Sequence, residues 1–273
     1  MAELKLELPL QDLVTNKIKI PILSDYKPVN EYWYPHPPCL VPLFLGAGAS
    51  YKGIVCHFFF ERKKTFAEYY LENGYLTEYA MNFKQLATLL ILSMVTIKEE
   101  LTDEIIKFAE AIGYKEYEAV DRFSVDHGDD PAYFNELVYF KEALPLKYIK
   151  EMSAYTGDFP SSINNINIKQ IQKGNACSIE LSNTAKEYIG KAGAVFPWLD
   201  NGTDKKELFS GYIEKGQLKE AWLTLNANGW LLKDVNDCLE ILKTKTKDIL
   251  FHLVADYWIE GWKNSSAQDQ DKY

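Results

Sequence analysis

Residues Thr65 to Leu90 read TFAEYYLENGYLTEYAMNFKQLATLL, and this stretch decides the fold class. Asn73-Gly74 separates two segments rich in aromatic residues. Asn-Gly suits the positive φ angles of a type I′ turn, whose twist matches the strands it joins, so the dipeptide predicts a β-hairpin. From Asn82 the period changes. Asn82 stands as an N-cap, and Phe83, Leu86, Leu89, Leu90 and Met94 recur at steps of three and four, the spacing of one helical face. Strands followed by a closing helix, rather than alternating strand and helix, make an α+β arrangement and count against a dinucleotide-binding fold.

Working upstream, Cys39 to Leu45 and Gly53 to Phe60 are apolar runs on either side of GAGAS, which predicts a second hairpin. Leu4, Leu6 and Leu8 alternate with polar residues, as do Ile18, Ile20 and Ile22, and both sets are read as half-buried strands. Pro21 and Pro28 push that region to a sheet edge. Downstream, helices are predicted at Thr102 to Ile112, Pro131 to Ala143 with Asp130 as cap, Leu146 to Tyr155, Thr184 to Lys191, Lys205 to Lys215 and Leu218 to Ala227. A long final helix runs from Val235 to Trp262, with Val235, Leu239, Leu242, Ile249, Leu253 and Tyr257 on its buried face. Phe209 to Trp230 reads as a helix hairpin stopped by Asn228-Gly229. SSAQDQDKY at the end reads as a fraying polar tail. The expected organisation is a sheet domain over residues 1–97 and a mainly helical region over 98–273.

The 273 residues are 47% hydrophobic and 25% charged, ordinary for a globular chain, which excludes a disordered tail, a collagen-like fibre and a coiled-coil rod. MAELKLELPL has charges among its first residues and no signal-peptide core, so the expected location is the cytoplasm. The most apolar segment, Leu86 to Ile97, falls well short of the roughly 20 residues that span a bilayer, and no membrane association is expected. Cys39, Cys56, Cys177 and Cys238 contain no CxxC pair, which suggests buried thiols rather than a zinc site or disulfide framework; Cys39 and Cys56 are placed to face each other across the hairpin.

Candidate chemistry is sparse. Gly46 to Gly53, GAGASYKG, lacks the glycine at Tyr51 that either phosphate-binding pattern needs, and a strand rather than a helix follows it. DHGDDP, Asp126 to Pro131, gathers a histidine and three carboxylates in a predicted loop but matches no metal motif. Its plain reading is an acidic turn with Asp130 as helix cap; its functional reading is an enzyme with a carboxylate and histidine site around Asp126 to Asp130. Ser50 and His57 lack a third partner for a hydrolase triad, and His36 and His252 read as structural. Neither a cofactor nor a metal is expected. EYWYPHPP, Glu31 to Pro38, carries Trp33 and Tyr34 on stiff proline chemistry, a form suited to an interface anchor as well as to packing.

Charge says more than any motif. Between Lys98 and Glu142 thirteen acidic residues face five basic ones, a net of −8 against −9 for the whole chain. Such a field repels nucleic acid and attracts basic protein surfaces. Glu116, Glu118, Asp121, Asp126, Asp129 and Asp130 are the candidate partner-binding carboxylates, with Trp33 and Tyr34 as candidate aromatic anchors.

The string from Leu40 to Leu90 resembles the SUKH superfamily of bacterial immunity proteins. The features that carry the likeness are Pro42 before a Gly-rich turn at Gly46 and Gly48, Tyr51 on the next strand, the Asn73-Gly74 hairpin, and Ala80 with Asn82 and Phe83 opening the closing helix. Upstream, Pro28 departs from the family's N-terminal helix. The resemblance implies a non-catalytic α+β scaffold that binds and neutralises a toxin delivered by neighbouring cells, often a nuclease or deaminase. A basic toxin would suit the acidic segment. The other classes compatible with the sequence are the carboxylate enzyme above and a helical scaffold or regulator.

Overall fold

The computed structural model describes residues 3–29, 33–46, 50–72, 74–148, 197–199, 203–227, 229–269 and 271–273. Its centre is an antiparallel sheet of five strands in simple sequential order: β1 Lys27–Pro28, β2 Leu40–Gly46, β3 Ser50–Val55, β4 Thr65–Tyr70 and β5 Tyr75–Ala80. Both predicted hairpins are present. Gly74 takes φ +67° at the β4–β5 turn, the left-handed region that glycine enters without steric cost. β1 lies at the edge, where Pro28 pairs only with Phe44 and its missing N–H costs the ladder nothing. At Gly53 a Cβ would stand 2.3 Å from the Val41 carbonyl oxygen, so β3 can approach β2 this closely only with glycine there.

The closing helix, α2 Phe83–Lys98, begins as predicted: the Asn82 side chain accepts a hydrogen bond from the Gln85 N–H. Gln85 is itself buried; its side chain accepts from the Met81 N–H and donates to the Tyr139 and Ala143 carbonyls. α2 is thereby tied to the acidic segment across the 97/98 boundary. That segment opens with α3 Asp103–Ala111, capped by Thr102.

Several expectations are corrected. The Leu4-Leu6-Leu8 alternation is not a strand: a turn with φ +50° at Lys5 leads into α1 Leu8–Val14, which carries proline in its first turn and buries Leu10 and Leu13. Leu4 and Leu6 are in the core but Leu8 is exposed, and among the described residues no neighbouring strand takes up their backbone. Ile18, Ile20 and Ile22 are likewise half-buried loop residues, broken by positive φ at Asn16 and Ile22. Helix α4, Tyr117–His127, was not anticipated, and it takes Asp126 and His127 out of the expected loop. The helix predicted at Pro131 to Ala143 is two 3₁₀ turns, Pro131–Glu136 and Val138–Phe140, because Leu137 between them is extended (ψ 133°). Asp130 does cap the first, accepting from the Ala132 N–H. A third 3₁₀ turn, Leu146–Tyr148, opens the next predicted helix. The remainder of that helix, the Ser161 to Asn183 stretch, the helix at Thr184 to Lys191 and Cys177 lie outside the described residues.

The C-terminal helices are α5 Lys205–Glu214, α6 Leu218–Leu225, α7 Leu232–Lys243 and α8 Ile249–Asn264. α5 and α6 form the predicted hairpin. The single long final helix is instead α7 and α8, because Asp248 caps the Leu250 and Phe251 N–H groups and starts a new helix. The break resets the helical phase. Val235, Leu239 and Leu242 are buried as predicted, but Ile249, Leu253 and Tyr257 face outward, and Phe251, Val254, Ala255, Trp258, Ile259 and Trp262 are the core residues of α8. The tail does not fray either. The Tyr273 ring is buried and its hydroxyl donates to the Leu225 carbonyl, while Lys272 bridges to Leu231.

Sheet and C-terminal helices share one continuous core. The Trp258 indole N–H donates to the His36 carbonyl, and the Cys39 N–H donates to the Asn226 side chain. Phe58 meets Trp222 and Phe251 edge to face. Cys39 and Cys56 face each other as expected, both buried, with the Cys56 N–H donating to the Cys39 carbonyl at 2.7 Å. Burial raises both thiols above the usual range, Cys56 to about 12, which makes them poor nucleophiles.

Candidate functional site

In register across β3 and β4, Tyr51 opposes Tyr69 and Lys52 opposes Glu68. Adjacent residues on a strand point to opposite faces. Tyr51 therefore turns to the C-terminal side, where its ring lies 5.4 Å from that of His36, and Lys52 turns to the other. There Lys52 Nζ sits 2.8 Å from Asp25 Oδ2, 3.7 Å from Glu68 Oε1 and 4.1 Å from the centre of the Tyr26 ring. Burial works against this ammonium, but Tyr26, Glu68 and Asp25 together outweigh it and hold Lys52 above the usual lysine range. Glu68 also accepts from two hydroxyl donors, Ser50 Oγ at 3.1 Å on Oε1 and Tyr70 Oη at 2.8 Å on Oε2.

This ion group is the floor of a cavity of about 510 Å³, walled by Tyr26, Tyr79, Phe134 and Tyr148 and completed by Lys147 and the carboxylates Asp129 and Asp130. The Leu146–Tyr148 turn that carries Lys147 is pinned by Glu78: one carboxylate oxygen accepts from the Leu146 N–H at 3.0 Å and the other from Arg62 at 2.9 Å. Glu78 is 1% exposed, so this ion pair acts largely out of water. Burial pulls the Lys147 amine below the usual lysine range; Glu68 opposes that shift and Lys52 reinforces it.

Outside the cavity lies the acidic face. Glu118, Asp126, Asp129 and Asp130 are exposed, and Glu116 and Asp121 are half-buried. Of the thirteen carboxylates between Lys98 and Glu142, Glu136 is the one within reach of a basic side chain among the described residues, its Oε2 lying 3.2 Å from His127 Nε2. His127 is also stacked on Tyr133, ring centres 4.1 Å apart. Val125 is 79% exposed in the middle of these carboxylates.

The structure thus brings Asp129 and Asp130 to one cavity and places Glu116, Glu118, Asp121 and Asp126 along α4. The contacts of the candidate anchors run elsewhere. Trp33 meets Trp258 edge to face at 5.3 Å and fills the space over Gly261, while Tyr34 is exposed beside Tyr51. Among the described residues no group of three histidine, cysteine or carboxylate side chains could hold a metal, and no helix is long and apolar enough to cross a membrane. Ser50 and His57 engage different partners, Glu68 and Arg62.

Tyr26, Lys52, Glu68, Lys147 and Tyr148 were missed from the sequence. A signal existed for two of them: pairing the hairpins in register puts Lys52 opposite Glu68, an opposite-charge cross-strand pair. Compared with known proteins, the chain matches no family model, no curated protein and no solved structure.

Proposed function

We propose that the chain is a non-catalytic binding protein of immunity type, which docks a basic protein domain, a nuclease-type toxin in the SUKH-like reading, and occludes its working surface. The observation that carries this reading is the acidic face, where twelve of thirteen carboxylates lack a basic partner among the described residues. Carboxylates neutralised within a fold have little field left for a partner, whereas these are free to attract one and to raise its encounter rate. Glu116, Glu118, Asp121, Asp126, Asp129 and Asp130 would make the polar contact and Val125 the apolar one. Tyr34, exposed beside Tyr51, and Trp33, packed on Trp258 of α8, would offer a separate aromatic contact.

The test is neutralisation of Glu118, Asp126 and Asp129 together, to Gln, Asn and Asn, in cells that also express a candidate basic toxin from the same source. Survival with the parent chain and death with the variant, at equal protein levels, support docking through this face. Equal protection by both would sink it.

A second reading, an enzyme using Asp129 and Asp130, is favoured by one observation: both line the cavity that also holds Lys147.

A further inference from the structure

We propose that the cavity is a capture site for small uncharged aldehydes or ketones bearing hydroxyl groups, in which the Lys147 amine adds to the carbonyl carbon and forms an imine. The inference does not rest on the docking reading, although Asp129 and Asp130 belong to both surfaces.

Two lysines line the cavity, and their surroundings differ in kind. Lys52 is held as an ammonium by Asp25, Glu68 and the Tyr26 ring, so it has no lone pair to offer. Lys147 forms neither an ion pair nor a hydrogen bond among the described residues; its one described contact is with the Tyr148 ring, whose centre is 5.8 Å from Nζ. Lys147 is half-buried in the cavity wall; Glu68 is near enough to favour its charged form but makes no ion pair with it, and the Lys52 cation disfavours that form, an arrangement that leaves an amine available for attack on carbonyl groups. The shift of Lys147 below the usual range agrees with this.

The walls define the guest. A cavity of about 510 Å³ admits a molecule of small-metabolite size. Tyr26, Tyr79, Ser93 and Tyr148, each with a hydroxyl, line it beside the apolar Leu89, Leu92 and Phe134, a mixed wall that suits a hydroxylated carbon skeleton, and the carboxylates Asp129 and Asp130 disfavour anions. A neutral sugar-like carbonyl compound satisfies both conditions. In the reaction the nitrogen lone pair forms the C–N bond, the carbonyl C–O bond breaks after a carbinolamine, and the oxygen leaves as water with the two amine protons. Nothing is oxidised or reduced. The Tyr148 phenol and the Asp129 carboxylate, close enough to Tyr148 to oppose its ionisation, can relay those protons.

The experiment is reductive trapping. The intact chain is treated at neutral pH with substoichiometric glycolaldehyde and cyanoborohydride, and hydroxyethylated lysines are mapped by mass spectrometry. Lys147 should be modified at least about tenfold faster than the exposed Lys107, Lys115 and Lys141, because a larger share of its amine is unprotonated at neutral pH. Its rate should rise to a plateau at lower pH than theirs. Unfolding in urea should abolish the preference, and Lys147→Arg should remove the fast site without changing the labelling of the others. A Lys147 rate equal to that of the exposed lysines in the folded chain, or the same pH curve for all four, would overturn the proposal.

Discussion

His36 is a buried imidazole whose protonation the fold opposes, and it supplies the sharpest prediction. It is 1% exposed, its Nδ1 lies 2.6 Å from the Tyr34 carbonyl, and its ring is packed against Trp33, Tyr51 and Trp258. The carbonyl contact fixes the proton on Nδ1 and leaves Nε2 as an acceptor, which has no hydrogen-bond partner among the described residues. A second proton would put a charge and an unmatched donor into this aromatic cage. Burial accordingly lowers the imidazole to about 4 from 6.5, with the Tyr34 carbonyl pulling the other way. Because the folded value is depressed, the unfolded chain takes up the proton first. The contribution of His36 to stability is therefore complete above pH 6.5 and is lost as pH falls toward 4, where both states are protonated and the loss levels off. At about 1.4 kcal/mol per pH unit, the interval amounts to roughly 3 kcal/mol. The assay is urea unfolding at several pH values between 7.5 and 4 for the parent and for His36→Asn, which can still donate to Tyr34 but does not titrate. Other groups titrate in both chains and cancel in the difference. The stability gap between the two should shrink or reverse by roughly 3 kcal/mol on going to pH 4. Parallel pH profiles would refute the argument.

Two further outcomes concern the supports of the site. Glu78→Ala removes the carboxylate that pairs with Arg62 and holds the Leu146 N–H in a buried setting; breaking one side of such a pair costs about 3–5 kcal/mol, measurable as a lowered urea midpoint, and a loss below about 1 kcal/mol would show that the pair is not desolvated as described. Tyr273→Phe leaves the Leu225 carbonyl without the phenolic donor and should cost about 1–3 kcal/mol, with faster amide exchange at Gly229 and Leu232, whose N–H groups donate to the carbonyls of Tyr273 and Asp271; unchanged exchange there would show that the tail is not anchored through this ring.

The candidate site was only partly legible. The acidic residues of α4 and the loop after it were visible, because charge is a property of composition and surface charges need no partner to be counted. Asp130 as a cap was visible too, since capping involves a residue and its neighbours two or three positions on. Lys147 was not, because nothing local distinguishes it from any other lysine. Its character comes from burial beside Lys52 and Glu68, which the chain brings in from the sheet. The same holds for His36, whose ring is enclosed by Trp258 from the far end of the sequence.

What the sequence determined by itself was local and periodic: the two hairpins, the Asn82 cap and the helix after it, the α5–α6 pair, and the sign of the surface field. These follow from φ preferences, side-chain hydrogen bonds to nearby backbone, and charge counting, all of which act within a few residues. The tertiary structure decided which face of each element is inside. A short break at Thr244 to Asp248 turned Ile249, Leu253 and Tyr257 outward, a polar tail was anchored by one buried tyrosine, and alternating leucines at the start of the chain became a turn and a helix. In each case a long-range partner, or the lack of a strand to pair with, outweighed a local preference of at most about 1 kcal/mol per residue.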